Sequence, residues 1–291
     1  MKTLELSINL DYLRRQRHTQ TLRPLETVAA WCAQAGFRHL DYSGEYARDD
    51  WQAEAYRQRE ALDAAGLSVE QTHAPFNRYG SYEPALFAEY YRRAFETSRI
   101  LGAKYVVVHA DEYRPAGRCD EQQILSYTCD FLAPWVDFAA KNGLVVAVEN
   151  LFEDKAFPEI DGKNRYTARV EELLAVIERF HTPEVGCCWD FGHARCAFGD
   201  GMLDALRQAA PYLVCTHVHD NNHREDQHLL PFLGEIDWEA HMALLREHGY
   251  QGKLSFEFVY GRIPDALIPS CLETARRAGE TLLAMAGNFD A

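Results

Sequence analysis

Several features are scarce or absent in this chain, and each removes a class of protein. No apolar run approaches the ~20 residues that span a bilayer, so an integral membrane protein is not expected. The N-terminal MKTLELSINL alternates polar and apolar residues, with no long apolar stretch and no cleavage site. It reads as a first strand and not as a signal peptide. No Gly/Ser/Pro-rich linker and no low-complexity tract interrupts the 291 residues, so one domain over residues 1–291 is expected. No C-x-x-C pair occurs among the eight cysteines, Cys32, Cys119, Cys129, Cys187, Cys188, Cys196, Cys215 and Cys271. Several lie in apolar runs, where a thiol packs as a small hydrophobe, and a reduced, cytoplasmic protein is the expectation. Positive charge is also short: 30 Lys and Arg stand against 44 Asp and Glu, a formal net charge of −14. A surface of that sign repels polyanions, so neither nucleic acid nor an anionic membrane is an expected partner.

What the chain does have is alternation. Eight β-rich runs can be marked: LELSINL, FRHLDYS, LSVEQTHAP, KYVVVHA, LVVAVEN, EVGCCWD, YLVCTHVH and KLSFEFVY. Between them lie segments with apolar residues at three- and four-residue spacing, such as PLETVAAWCAQAG, DDWQAEAYRQREALDAAG, PALFAEYYRRAFETSRILGA and DWEAHMALLREHG. Gly36, Gly66, Gly102, Gly143 and Gly249 stand where left-handed helix C-caps are expected, just before the next strand. Strands alternating with helices imply parallel β-α units, and eight units fit an α/β fold of the (β/α)8 TIM-barrel type. An open doubly wound sheet is the alternative, but no glycine-rich phosphate fingerprint follows the first strand.

In such a barrel the active site sits at the C-terminal ends of the strands. The third run ends in His73 and the fourth in His109. The fifth ends in Glu149 and the sixth in Asp190, with His193 just beyond. The seventh ends in His217 and His219, and Glu257 lies near the end of the eighth. Period-two alternation puts Val145, Ala147 and Glu149 on one face, as it does Gly186, Cys188 and Asp190, then Cys215, His217 and His219, and Ser255 with Glu257. Any one of these residues has an ordinary explanation. Asp190 before Phe-Gly can cap a turn, and His217, one layer deeper than His219, can be a core histidine. Together they converge, and converging carboxylates repel unless a cation neutralises them. Mixed imidazole and carboxylate ligands suit zinc, manganese or iron better than calcium. In the loop after the seventh strand, Asp226 and His228 form a D-x-H pair able to fold back onto a further ion. Arg224 is placed to hold an anionic or hydroxylated substrate, and His223 reads as a solvated loop residue. Arg14, Arg15 and Arg17 follow the first strand, either as a solvated helix face or as a receptor for phosphate or carboxylate.

WDFGH at 189–193, THVHDN at 216–221, DQHLLPFLGEIDW at 226–238 and FEF around Glu257 resemble the xylose-isomerase-like TIM-barrel superfamily. That superfamily contains sugar isomerases and epimerases, inosose dehydratases and the three-zinc apurinic endonucleases. The resemblance runs through nearly the whole chain in order. To the epimerase branch it implies one divalent ion (manganese, zinc, cobalt or magnesium) held by Glu149, Asp190, His219 and Glu257. Glu149 and Glu257 would also be the acid/base pair, with proton transfer through an enediolate, and His193 would contact substrate. Together with Arg224 and His217, His193 makes up the candidate substrate-binding set. To the endonuclease branch it implies further ligands at His73, His109, His193, Asp226 and His228, and so two or three ions. The chain departs from the epimerase pattern where Asn150, Leu151 and Phe152 replace N-R-x-E, where Arg224 comes one residue early, and where PFLGE replaces P-G-E-G. The expected function is a divalent-metal-dependent isomerase or epimerase of a small sugar, sugar phosphate or related hydroxy-ketone. The alternatives are a multi-zinc phosphodiesterase, which the net charge opposes, and a dehydratase or other lyase on the same residues. A binding protein without catalysis ranks below these because both glutamates are present. Barrels of this class often pair, so a homo-oligomer is compatible with the sequence.

Overall fold

The computed structural model describes residues 4–16, 19, 21–76, 83–110, 120–153, 165–222, 225–258 and 260–287. Arg17, Cys119, His223 and Arg224 lie outside the described residues. Eight parallel strands form the barrel: β1 (Glu5–Asn9), β2 (His39–Asp41), β3 (Ser68–His73), β4 (Tyr105–Val108), β5 (Val145–Glu149), β6 (Val185–Asp190), β7 (Leu213–His217) and β8 (Lys253–Phe256). Each of the eight expected runs contains one of them. They follow one another in sequence order around the sheet, with β8 back beside β1. Beyond the last pair of β7, the Val218 N–H donates to Ser255 O at 2.7 Å and the Glu257 N–H to Val218 O at 3.1 Å, which closes the ring. The fold is a (β/α)8 TIM barrel.

The helices lie where the three- and four-residue periodicity puts them: Leu25–Ala35, Trp51–Ala64, Pro84–Leu101 and Trp238–Glu247 match the four segments quoted above. All five marked glycines have positive φ, between 66° and 96°, as a left-handed helix stop requires. Among the described residues no helix is long and apolar enough to cross a membrane.

Strand alternation divides the core in two. Outward residues such as Leu40, Val106, Val146, Val148 and Phe256 pack against the helices, each large side chain contributing roughly 1.5–3 kcal/mol. Inward, Tyr105, Val107, Ala147, Cys188 and Cys215 fill the barrel below the site. Small residues are needed on this face: a Cβ on Gly186 would stand 2.5 Å from Val214 Cγ1.

One feature was not anticipated. After β1 the chain makes a short helix, Leu10–Arg14, and then an antiparallel pair, Arg15–Gln16 with Thr21–Leu22. Arg14 is buried there, donating to Tyr42 Oη at 2.6 Å and Arg23 O at 3.2 Å and pairing with Glu45 at 2.8 Å. It is not a solvated residue, and the anion its guanidinium holds is the protein's own Glu45 carboxylate. Arg15 is exposed, on the wall of the barrel mouth.

Candidate functional site

Parallel register brings the strand ends level, so residues far apart in sequence meet in one layer. Glu149 at the end of β5 is the hub. Its Oε2 lies 3.1 Å from Nε2 of both His73 and His109, and its Oε1 lies 3.1 Å from His217 Nδ1 and 3.2 Å from His193 Nδ1. Asp190 has two roles at once. Oδ1 accepts the His193 N–H at 2.7 Å, capping the helix Phe191–Phe198, while Oδ2 lies 3.1 Å from His219 Nε2. Asp190 therefore caps the turn, as one reading expected, while its second oxygen faces the strand-end cluster.

The loop after β7 does fold back. Asp220 anchors it, accepting from the Phe232 and Ile236 N–H groups and from Trp238 Nε1, and pairing by backbone with Leu229. This returns His228 to the barrel mouth, where its ring stacks on His219 at 4.0 Å between centroids. His228 Nε2 lies 3.1 Å from Asp226 Oδ2, and Nδ1 lies 2.9 Å from Glu257 O. Glu149, Asp190, His193, His217, His219, Glu257, His73, His109, Asp226 and His228 thus all meet in one cluster. His217, two residues before His219 on the same strand face, is 1% exposed and bridges Glu149 and Asp41. Sequence reading passed over Asp41, which ends β2, is fully buried and lies 3.3 Å from His217 Nε2. The strand-end rule that marks the others applies to it equally. Arg165, 2% exposed beside His109, was also missed, and no local pattern marks it.

The electrostatics are those of a charge cluster in a dry setting. Burial alone would raise the Glu149 carboxyl, but the charge of His217 and hydrogen bonds from His109, His193 and His217 hold it well below the usual range. Burial is likewise outweighed at Asp190, whose carboxyl is lowered by His193 and His219. Burial opposes charge on His228, yet Asp226 lifts it to about 9. His109 goes the other way, with burial pushing it down to about 4. Carboxylates here are balanced by protons on imidazoles, positions that a metal cation can take over.

The donor set fits such a cation. One ligand atom each from Asp190, His219 and Glu257 lie within 4.8 Å of one another, as do those of Glu149, Asp190 and His193. That is the reach of a shared ion with ligand distances of roughly 2.0–2.4 Å. His219 Nδ1 is buried with no hydrogen-bond partner, an orphan that a metal bond would satisfy. Gly192 makes room for that ring, since a Cβ there would run into the His219 imidazole. Three further groups, His73–His109–Glu149, His219–Asp226–His228 and Asp41–His217–Glu257, also lie within that reach. Above the cluster is a cavity of about 430 Å³ whose wall includes Tyr12, Arg15, Tyr46, Phe76 and Arg165, with Glu149 and Glu257 at its floor. A volume of this order suits a small molecule.

The model of the xylose isomerase-like TIM barrel family matches residues 29–283. An uncharacterized protein of Sinorhizobium fredii is 27% identical over 253 residues, covering 77% of this chain and 78% of its own. The inosose isomerase of Bacillus licheniformis is 24% identical over 207 residues, 69% of each chain. Among solved structures, a D-tagatose 3-epimerase-like protein superposes with a TM-score of 0.74 at 21% identity, covering 99% of this chain and 98% of its own. The IolI protein with a bound zinc atom superposes with a TM-score of 0.73 at 17% identity over the whole of both chains. With its family match spanning most of the barrel, the chain belongs to the xylose isomerase-like TIM-barrel family.

Proposed function

We propose that this protein is a divalent-metal-dependent isomerase or epimerase of a small sugar-like hydroxy-ketone. The observation that carries the reading is the placement of two carboxylates. Glu149 and Glu257 both line the cavity, with His217 Nδ1 between them, 3.1 Å from one and 3.8 Å from the other. Two carboxylates facing one small cavity can remove a proton from a substrate carbon and return one to it. Glu149, Asp190, His219 and Glu257 would hold the ion, which when bound polarises a substrate carbonyl and makes the neighbouring C–H more acidic. His193, 8% exposed and lining the cavity, is placed to orient a hydroxyl. The sugar activities named for the relatives support this class, and the zinc of the IolI structure supports a metal.

The test is a panel of ketoses, phosphorylated and not, incubated with metal-loaded enzyme in deuterated water. Epimerised or isomerised product carrying solvent deuterium is expected. No product across the panel, with cleavage of an abasic-site DNA, would instead favour the multi-ion phosphodiesterase. That second reading is kept because several candidate ligand groups lie side by side, and it is opposed by the charge of −14.

A further inference from the structure

Arg165 lies between β5 and the helix Val170–Phe180 and is 2% exposed against the site. Its backbone N–H donates to Glu153 Oε2 at 3.2 Å and its guanidinium lies 5.9 Å from the Phe152 ring centroid. From there an Arg165 Nη2 approaches His109 Nδ1 at 3.4 Å. A guanidinium has only hydrogens to offer and does not lose them, so in this contact His109 Nδ1 is the acceptor. The ring hydrogen is then on Nε2, which donates to Glu149 Oε2 at 3.1 Å. A histidine that binds a metal needs the reverse: a lone pair toward the ion and an N–H toward an acceptor behind it. His73 has the acceptor behind it. Its Nδ1–H donates to the Ala74 carbonyl at 2.7 Å, so Nε2, whose own N–H donates to Glu149 Oε2 at 3.1 Å, is the nitrogen that can exchange its proton for an ion. The two histidines touch the same carboxylate oxygen, yet their neighbours preset them for opposite roles.

Resting on the metal-dependent reading above, we propose that Arg165 is a metal-stoichiometry determinant: it keeps His109 out of metal ligation, so that the His73–His109–Glu149 group does not take up an ion of its own. The guanidinium adds a second obstacle, because a fixed positive charge beside His109 repels a divalent cation. Glu149 then remains available to the ion shared with Asp190, His219 and Glu257. The structural likeness to multi-ion ligand groups is retained in the residues and cancelled by one arginine outside them.

The experiment compares zinc content per chain, by elemental analysis after dialysis against zinc chloride, for wild type, Arg165→Met, His109→Ala and the double variant. The expected result is no change on His109→Ala alone, a gain of about one equivalent on Arg165→Met, and loss of that gain in the double variant. A loss of one equivalent from wild type on His109→Ala overturns the proposal, and so does an Arg165→Met protein that gains nothing. A second measurement needs no variant: the ring ¹⁵N shifts of His109 in the zinc-loaded wild type. A protonated Nε2 is expected, and a metal-bound Nε2 overturns the proposal. Failure of the underlying metal reading looks different, since Asp190→Ala would then leave the zinc content of wild type unaltered.

Discussion

His217 Nδ1 lies 3.1 Å from Glu149 Oε1, and the far nitrogen of the same ring lies 3.3 Å from Asp41. Asn9 Nδ2 at 3.0 Å and Gln71 Nε2 at 3.3 Å hold that Asp41 carboxylate in turn. A buried chain of contacts thus runs from the first three strands to the hub of the site. Partners behind a metal-site carboxylate commonly affect metal affinity by roughly 10–100-fold. Asp41→Asn is therefore expected to weaken zinc binding by about that factor while far-UV circular dichroism is unchanged. Titration calorimetry decides it, and an unaltered affinity would remove Asp41 from the site.

Glu257→Gln keeps the shape of the floor of the cavity and removes its proton-carrying capacity. Loss of general acid–base catalysis is expected to lower turnover by about 10²–10⁴-fold with the fold intact. Turnover equal to wild type would sink the role assigned to Glu257.

Gly192→Ala directs a methyl group into the fully buried His219 ring. Overpacking of this kind costs roughly 1–3 kcal/mol, and here it also moves a proposed ligand. Both a lower thermal midpoint and a lower zinc content are expected. A variant that melts earlier yet holds its zinc would separate His219 from the ion.

The pH dependence of the metal-free protein has a definite sign at His228. Asp226 raises the folded-state value to about 9, above the 6.5 of an ordinary histidine. The stabilisation is therefore complete below about pH 6.5 and is lost as pH rises through about 9. Its size is on the order of 3 kcal/mol, counted once for the pair, since the lowered carboxyl of Asp226 reports the same interaction. Denaturant melts of wild type and His228→Asn at pH 6, 7.5 and 9 should show a stability gap that narrows with pH. A gap that widens would contradict the pairing.

Much of this architecture was legible because it is local. Period-two runs mark the strands, three- and four-residue spacing marks the helices, and a glycine closes five of the helices, each a preference expressed within a few residues of chain. Parallel strands then carry strand-end residues to one rim without further instruction, which is why His73, His109, Glu149, Asp190, His219 and Glu257 could be marked in advance. Asp41 satisfied the same rule. Arg14 misled because an arginine after a strand gives no sign of whether Tyr42 and Glu45, roughly thirty residues on, will enclose it.

The sequence by itself determined the barrel, the ring of ligand-type side chains at its C-terminal rim and the acidic surface, because strand period and strand order are enough to set them. Only the tertiary structure decided what each side chain is prepared to do there. An imidazole takes its role from the group behind it, so His73 and His109, alike at the ends of neighbouring strands, are set apart by the Ala74 carbonyl that accepts an N–H from one and the Arg165 guanidinium that gives an N–H to the other.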